Sequence, residues 1–328
     1  MGTFVGHVLP GSFFISFAIW WSFTTTLRYL ESRKISLKHK TPVIKYKSSV
    51  AMSCGSTWIK FIPLDSGIKL LATTFGMVSE IYGGLYYGTA WSINTDDKAA
   101  TNDSVLTHDH GHHMREVNSK AEILSWHFQG GSAQHTTMYA GFFICAIVEI
   151  LIHFNVHLPE RLDHICLSLA YIIEGLLFQY HLDGRDPLDV QLHVLLVISI
   201  YACAVTSIFE YARSDNVIFT YGRIAFTFLQ GTWLIEIAFI LYPPIESLEN
   251  RWSSTDHMSI MFVTMSFIWH FLFIFLALLA QFIILNRLCS TKYSANYDLE
   301  DSQQNLLMNE NDHFSDQNNE NNHLNEDF

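Results

Sequence analysis

Met258–Leu285 reads MSIMFVTMSFIWHFLFIFLALLAQFIIL, a stretch in which His270 is the one ionisable side chain. A membrane-spanning helix needs ~20 mostly apolar residues, because the hydrocarbon core is ~30 Å thick and each helical residue rises ~1.5 Å. In lipid, every backbone N–H and C=O group must be bonded internally, and a helix achieves this within one segment. The stretch therefore predicts a transmembrane helix.

Six further stretches have the length and composition of a span, some with a polar residue. They are Val8–Leu27, Ile68–Trp91, Gln134–Phe154, Asp163–His181, Val190–Tyr211 and Val217–Tyr242. We predict an all-α fold, a polytopic membrane helical bundle of about seven transmembrane helices that forms one domain over residues 1–290. The second stretch contains Glu80 and the third opens with polar residues, so six spans with one buried re-entrant segment is the alternative.

The net charge of −12 comes mostly from the C-terminal segment, where nine acidic residues lie between Asp298 and Asp327. A segment so polar cannot bury enough apolar surface to offset the conformational entropy lost on folding. We predict a disordered acidic cytoplasmic tail over residues 291–328. The rest of the chain lacks a basic face of the kind that binds nucleic acid, so the expected partner is the lipid bilayer. Protein partners and oligomeric state are left open.

The orientation follows from the bases in the connector between the first two spans. It carries eight of the nineteen Lys and Arg residues: Arg28, Arg33, Lys34, Lys38, Lys40, Lys45, Lys47 and Lys60. Basic loops stay in the cytoplasm, so the N-terminus is expected in the lumen or outside the cell and the C-terminus in the cytoplasm. The N-glycosylation acceptor Asn102-Asp103-Ser104 would then be lumenal, where glycosylation takes place.

Several ionisable residues fall inside the predicted spans, where each costs at least ~2.5–3.5 kcal/mol unless it faces a cavity or a partner. In the predicted topology these polar residues gather towards the lumenal leaflet, with His270 at about mid-depth. Six are singled out: His135, Glu174, His181, Asp189, His193 and His270. Neutral imidazoles and carboxylates are Zn²⁺ ligands, so these residues are candidate metal ligands. An open coordination position would let a zinc-bound water act as a nucleophile near pH 7.

The spacing supports a cluster. Glu174 and His181 are seven positions apart and Asp189 and His193 are four apart, so each pair shares one helix face. The short turn between the two helices makes them antiparallel neighbours. Two alternatives remain: a hydrogen-bond network between helices without metal, or interfacial residues paired with Arg185.

The ionisable residues towards the cytoplasmic side have a simpler interpretation. Glu149 and Glu210 are expected to be helix-end charges, and His153, His157 and His164 to be interfacial.

Several motifs resemble the transmembrane protein 45 family. They are Gly6–Phe14 (GHVLPGSFF), Gln134–Tyr139 (QHTTMY), Glu174–Phe178 (EGLLF) with His181, Asp189 and His193, Leu229–Trp233 (LQGTW), Asp256-His257 and Trp269-His270. The resemblance implies a multi-pass protein of Golgi, endosomal, lysosomal or plasma membranes without an established biochemical activity. Glu236 departs from it, since glutamine is expected there, and so does the His-rich run His108–His113.

Three functions compete. The first is a non-enzymatic membrane protein, such as a scaffold or trafficking factor of the secretory and endolysosomal system. The absence of a Gly-rich phosphate loop, a GxSxG elbow and an HExxH motif favours it. The second is a zinc-dependent membrane hydrolase acting on a lipid or amide, and the third is a proton- or metal-coupled transporter. Whether the protein is an enzyme, and whether zinc is its cofactor, is left open by the residues alone.

Overall fold

The computed structural model describes residues 3–39, 46–50, 63–102, 130–180, 182, 184–245, 252 and 256–323, the side chains of 34–39, 85–102, 130 and 291–323 excepted. Within these ranges the regular structure is entirely helical. The helices are α1 (Phe4–His39), α2 (Leu64–Asn102), α3 (Gly130–His153), α4 (Leu162–Gln179), α5 (Pro187–Ala212), α6 (Val217–Leu241) and α7 (His257–His323).

The helices confirm the predicted fold class, and each overlaps one of the predicted stretches, although α1, α2 and α7 extend well beyond the predicted bounds. Six of the described helices are long and apolar enough to cross a membrane, the exception being α2. Since α2 carries Asp65, Lys69 and Glu80, its crossing of the bilayer stays a prediction. The backbone of α7 is helical up to His323, beyond the last described side chain at Ser290. The predicted disorder of residues 291–328 stays a prediction.

Each of the consecutive helices from α3 through α6 is connected to the next by a short turn. Between α4 and α5, Gly184 has a φ of 77°, a left-handed conformation that glycine adopts without steric cost. Pro187 then begins α5, where its missing N–H is not needed. Such short turns force consecutive helices to run antiparallel, as predicted for α4 and α5.

The helices form an open ring in the order α2, α3, α4, α5, α6 and α1, and α7 packs outside against α5, α6 and α1. The first helix is therefore a neighbour of the sixth, and a gap separates α1 from α2. Buried apolar residues fill the centre, including Leu192, Ile200, Ile224 and Trp233. Large apolar side chains on α7 point outwards, as expected for a helix whose solvent is lipid.

Helices α1 and α6 cross with their backbones in contact at Gly11 and Gly231. A Cβ atom built on Gly11 would lie 2.8 Å from the carbonyl oxygen of Gly231, and one on Gly231 would lie 2.8 Å from the carbonyl oxygen of Gly11. The two backbones therefore touch. Small residues permit such contact, and in lipid this packing takes the place of hydrophobic attraction between helices.

Replacing Gly231 by alanine tests this crossing. We expect Gly231→Ala to destabilise the protein by ~1–3 kcal/mol, because two backbones must separate to admit one methyl group. The matched control is Gly67→Ala in α2, where nothing lies within 4 Å of the new Cβ. It should be neutral or stabilising by up to ~1 kcal/mol, because alanine is the better helix former. Thermal unfolding in detergent compares the two variants, and equal shifts in Tm would contradict the crossing.

Candidate functional site

Asp189 and His193 meet at the end of the bundle where α1 begins. The Nδ1 atom of His193 lies 2.7 Å from Oδ1 of Asp189, one helical turn away. Nη1 of Arg185, in the turn before α5, donates to both oxygens of Asp189 at 3.1 and 2.9 Å. Asp189 is thus held between a guanidinium group and an imidazole. It shares a helix face with His193, as the spacing indicated, and it pairs with Arg185, as the alternative interpretation proposed.

Two aromatic residues complete this end. The ring of His7 meets the ring of His193 edge-on, with centroids 5.8 Å apart, and lies 5.4 Å from the ring of Tyr242. Nδ1 of His7 is 2.9 Å from the carbonyl oxygen of Thr3. Burial raises the pKa of Tyr242, which follows α6, so its hydroxyl stays protonated. This group joins α1, α5 and the end of α6.

Two further candidate residues form separate pairs. Nδ1 of His135 lies 3.1 Å from Oε1 of Glu80, which joins α3 to α2. Nε2 of His270 lies 3.9 Å from Oε2 of Glu236, which brings α7 against α6. Both pairs are partly exposed, so each joins neighbouring helices at the rim of the bundle.

Glu174 is buried in the centre of the bundle, 2% exposed. Its Oε1 accepts a hydrogen bond from Nε2 of Gln230 at 2.6 Å, which joins α4 to α6. Its Oε2 has no hydrogen-bond partner among the described atoms. No cationic side chain in the described part of the chain pairs with this carboxyl group.

The predicted metal ligands are therefore distributed over several places. His135 pairs with α2, Glu174 and His270 pair with two different residues of α6, and only Asp189 and His193 are together. In the ranges that the structure covers, no three His, Cys, Asp or Glu side chains could hold a metal ion together. His181 and the run His108–His113 lie outside the described residues, and the metal site stays a prediction.

The strongest electrostatic pairs lie at the opposite end, where the basic connector begins and ends. Nζ of Lys69 in α2 donates to both oxygens of Glu149 in α3, at 2.6 and 2.7 Å. Ser66 donates to the same carboxylate at 2.8 Å, and the thiol of Cys145 lies 3.2 Å from it. Glu149 is fully buried, so it is the centre of an ion pair and not the helix-end charge that we predicted.

Glu210 has the same role between α5 and α6. Nε of Arg223 donates to its Oε2 at 2.6 Å, and Thr220 donates to its Oε1 at 2.9 Å. The hydroxyl of Tyr46 in turn donates to Thr220 at 3.2 Å. Burial raises the pKa of Tyr46 and keeps this donor protonated. Glu210 and Arg223 are both fully buried, so the expectation of a helix-end charge was wrong here as well.

Trp21 of α1 lies between the two ion pairs. Its ring centroid is 4.6 Å from the guanidinium carbon of Arg223 and 5.3 Å from Nζ of Lys69. Its Nε1 donates to the carboxylate of Asp65 at 3.1 Å. A cation over the face of a tryptophan ring is attracted by the ring quadrupole, more strongly where water is excluded. Trp21 therefore couples the two pairs through α1.

The segment 46–50 docks beside Glu210. Nε2 of His164 lies 3.1 Å from Oγ of Ser48, and its Nδ1 lies 3.0 Å from Oδ1 of Asp163. The other oxygen of Asp163 accepts the backbone N–H of Val50 at 3.2 Å. His164 is 2% exposed, and the prediction of an interfacial histidine was wrong.

We call this set the buried charge cluster; it comprises Trp21, Asp65, Lys69, Glu149, Asp163, His164, Glu210 and Arg223. The cluster has members on all six helices from α1 through α6. Together with the segment 46–50, these helices are joined in one polar network. Each of its carboxylates accepts hydrogen bonds from protein donors. Such an arrangement stabilises helix packing and does not present an activated nucleophile.

Comparison with known proteins gives a family without an assigned function. Residues 160–283 match a family described as a family of unknown function, DUF716. This is the part from α4 into α7, and it contains Glu174, His193, Glu210 and Arg223. The match covers less than half of the chain.

Two relatives are transmembrane proteins by name. The chain is 28% identical over 140 residues to transmembrane epididymal protein 1A of Mus musculus, which covers 42% of this chain and 45% of that protein. It is 22% identical over 274 residues to transmembrane epididymal protein 1 of Rattus norvegicus, which covers 82% of this chain and 76% of the relative. Both agree with a multi-pass membrane protein. Neither name is that of the transmembrane protein 45 family, which stays a resemblance.

Substitutions of three buried glutamates compare carboxyl groups that are in an ion pair with one that is not. Glu149→Gln and Glu210→Gln each leave a buried base without its counter-charge, and we expect each to destabilise the protein by ~3–5 kcal/mol. Glu174→Gln is the matched control, because its described partner is the amide of Gln230, and it should cost less than ~1 kcal/mol. The yield of monodisperse protein and its Tm in detergent measure the difference. A control as damaging as the other two would contradict the role given to the ion pairs.

Proposed function

We propose that this protein is a non-catalytic multi-pass membrane protein of the secretory and endolysosomal system, acting as a scaffold or trafficking factor. Its buried imidazoles, carboxylates and bases hold the helices in place. The observation that carries the proposal is the buried charge cluster, in which Glu149 and Glu210 are saturated by donors from the protein itself. A catalytic acid or base needs a face that can reach a substrate proton, and these two carboxylates are enclosed.

The group at the opposite end supports the same conclusion. Asp189 bonds to Arg185 and His193, and the ring of His193 is covered by the rings of His7 and Phe178. Contacts of this kind fix the orientation of an imidazole and tie α1 to α5. These contacts have distances typical of hydrogen bonds, as expected if the residues form a structural network.

The proposed orientation puts the N-terminus in the lumen and the C-terminus in the cytoplasm. The basic connector supports it, since Lys and Arg in short loops stay on the cytoplasmic side. In this orientation the buried charge cluster lies in the cytoplasmic half and the group around His193 in the lumenal half. The compartment, among Golgi, endosomal, lysosomal and plasma membranes, rests on the resemblance stated above.

A zinc-dependent hydrolase is the alternative that an experiment must separate. It would use imidazoles and carboxylates at the lumenal end, where His193, Asp189 and His7 lie together. Three ligands converging at ~2.0–2.2 Å from one point would be required, with a fourth position open for water. His181 is the residue that would have to complete such a set.

Metal content and folding of a His193→Ala variant distinguish the two functions. If His193 is structural, purified full-length protein should contain well below one zinc per chain, and His193→Ala should lose ~1–3 kcal/mol of stability with its buried hydrogen bonds. His157→Ala, in the exposed turn after α3, is the matched control and should behave as the parent. Elemental analysis and thermal unfolding give the two readouts. Stoichiometric zinc that a well-folded His193→Ala protein has lost would refute the proposal.

A further inference from the structure

An apolar cavity with an open side lies between α1, α2, α3 and α4. It occupies the gap in the ring of helices, where α1 and α2 are joined only near the buried charge cluster among the described residues. Its length along α1 runs from Leu9 to Trp21, which at ~1.5 Å per residue is about 18 Å. The cavity therefore extends over more than half of a hydrocarbon core ~30 Å thick.

The cavity opens sideways, towards the surroundings of the bundle. Leu9 and Phe75, on the two sides of the gap, are 38% and 62% exposed. Leu167 and Tyr171 of α4, at the back of the cavity, are each 1% exposed. A molecule can thus enter between α1 and α2 without passing through a helix.

The end of the cavity nearest the connector is closed by the buried charge cluster. The hydrogen bond from Trp21 to Asp65 ties α1 to α2 there. Lys69, which also lines the cavity, donates hydrogen bonds to both oxygens of Glu149. The charges at this end are therefore engaged with each other, and a phosphate or carboxylate would have to displace Glu149 to bind.

The apolar lining of the cavity favours a hydrocarbon ligand. Aromatic and aliphatic side chains form nearly all of it, among them Phe14, Phe17 and Phe142. The hydroxyl groups of Thr73 and Tyr171 face other partners, the carbonyl of Lys69 and the side chain of Thr227. An apolar cavity does not retain water, and a vacant one forfeits the dispersion contacts of its whole lining. At this depth the surrounding solvent consists of acyl chains.

We propose that this cavity binds one acyl chain of a membrane phospholipid, inserted laterally between α1 and α2. The chain completes the ring of helices by filling the gap that the protein leaves open. A flexible chain can follow a slot between two helices and needs no polar partner inside it. The proposal holds for a scaffold and for an enzyme alike, so it can fail without affecting the proposed function.

Photolabelling of the full-length protein in phosphatidylcholine bilayers tests the proposal. The probe is a phosphatidylcholine with a diazirine in one acyl chain, and mass spectrometry locates the labelled peptides. We expect label on cavity residues of α1 and α2. Ala72→Trp fills the cavity and should lower that labelling about tenfold, which corresponds to ~1.4 kcal/mol of lost binding.

The matched control is Leu71→Trp. Leu71 is adjacent in sequence but 72% exposed and outside the cavity, so the cavity labelling should equal that of the parent. Both variants must elute as monodisperse protein, and Ala72→Phe replaces Ala72→Trp if the larger ring prevents folding. Equal cavity labelling in the variant and the control would overturn the proposal. The proposal would also be overturned if a sterol carrying a diazirine labelled the cavity and the phospholipid probe did not.

Discussion

Two ion pairs that share one tryptophan ring hold this bundle together. A charge in a lipid environment has no water to solvate it, so Lys69 and Arg223 are stable only beside Glu149 and Glu210. Trp21 lies against both bases and so places α1 relative to four other helices. Without the hydrophobic effect to press helices together inside a membrane, a buried network of this kind supplies orientation as well as attachment.

The first helix has a special place in the architecture. It contacts α6 backbone to backbone at Gly11, reaches the buried charge cluster through Trp21, and carries His7 into the group around His193. Another face of α1 lines the gap between α1 and α2. The bundle is thus fixed at both ends by polar contacts, while the wall between them is open to lipid. Rigidity at the ends and an opening between them are compatible because the buried charge cluster closes only one end of the cavity.

The sequence predicted the fold well and the site only in part. Long apolar stretches leave the chain no alternative to helices in lipid, and the pairing of Asp189 with His193 followed from spacing within one helix. The pairs between helices were missed, because we searched the spans for imidazoles and carboxylates and gave no weight to Lys69 and Arg223. The available signal was that each base lies one to two turns after the start of its helix, at Leu64 for Lys69 and at Val217 for Arg223. Which faces meet depends on helix rotation, and Glu149 could not be placed without the packing.

The spacing of the charged partners along the chain has a consequence for biogenesis. Glu210 and Arg223 are only 13 positions apart, so the hairpin of α5 and α6 neutralises its own charges as soon as both segments have left the ribosome and entered the bilayer. Lys69 precedes Glu149 by 80 positions. Its helix is synthesised long before the glutamate that accepts its hydrogen bonds. During translation, the ion pair between α2 and α3 therefore forms only after α3 has been synthesised.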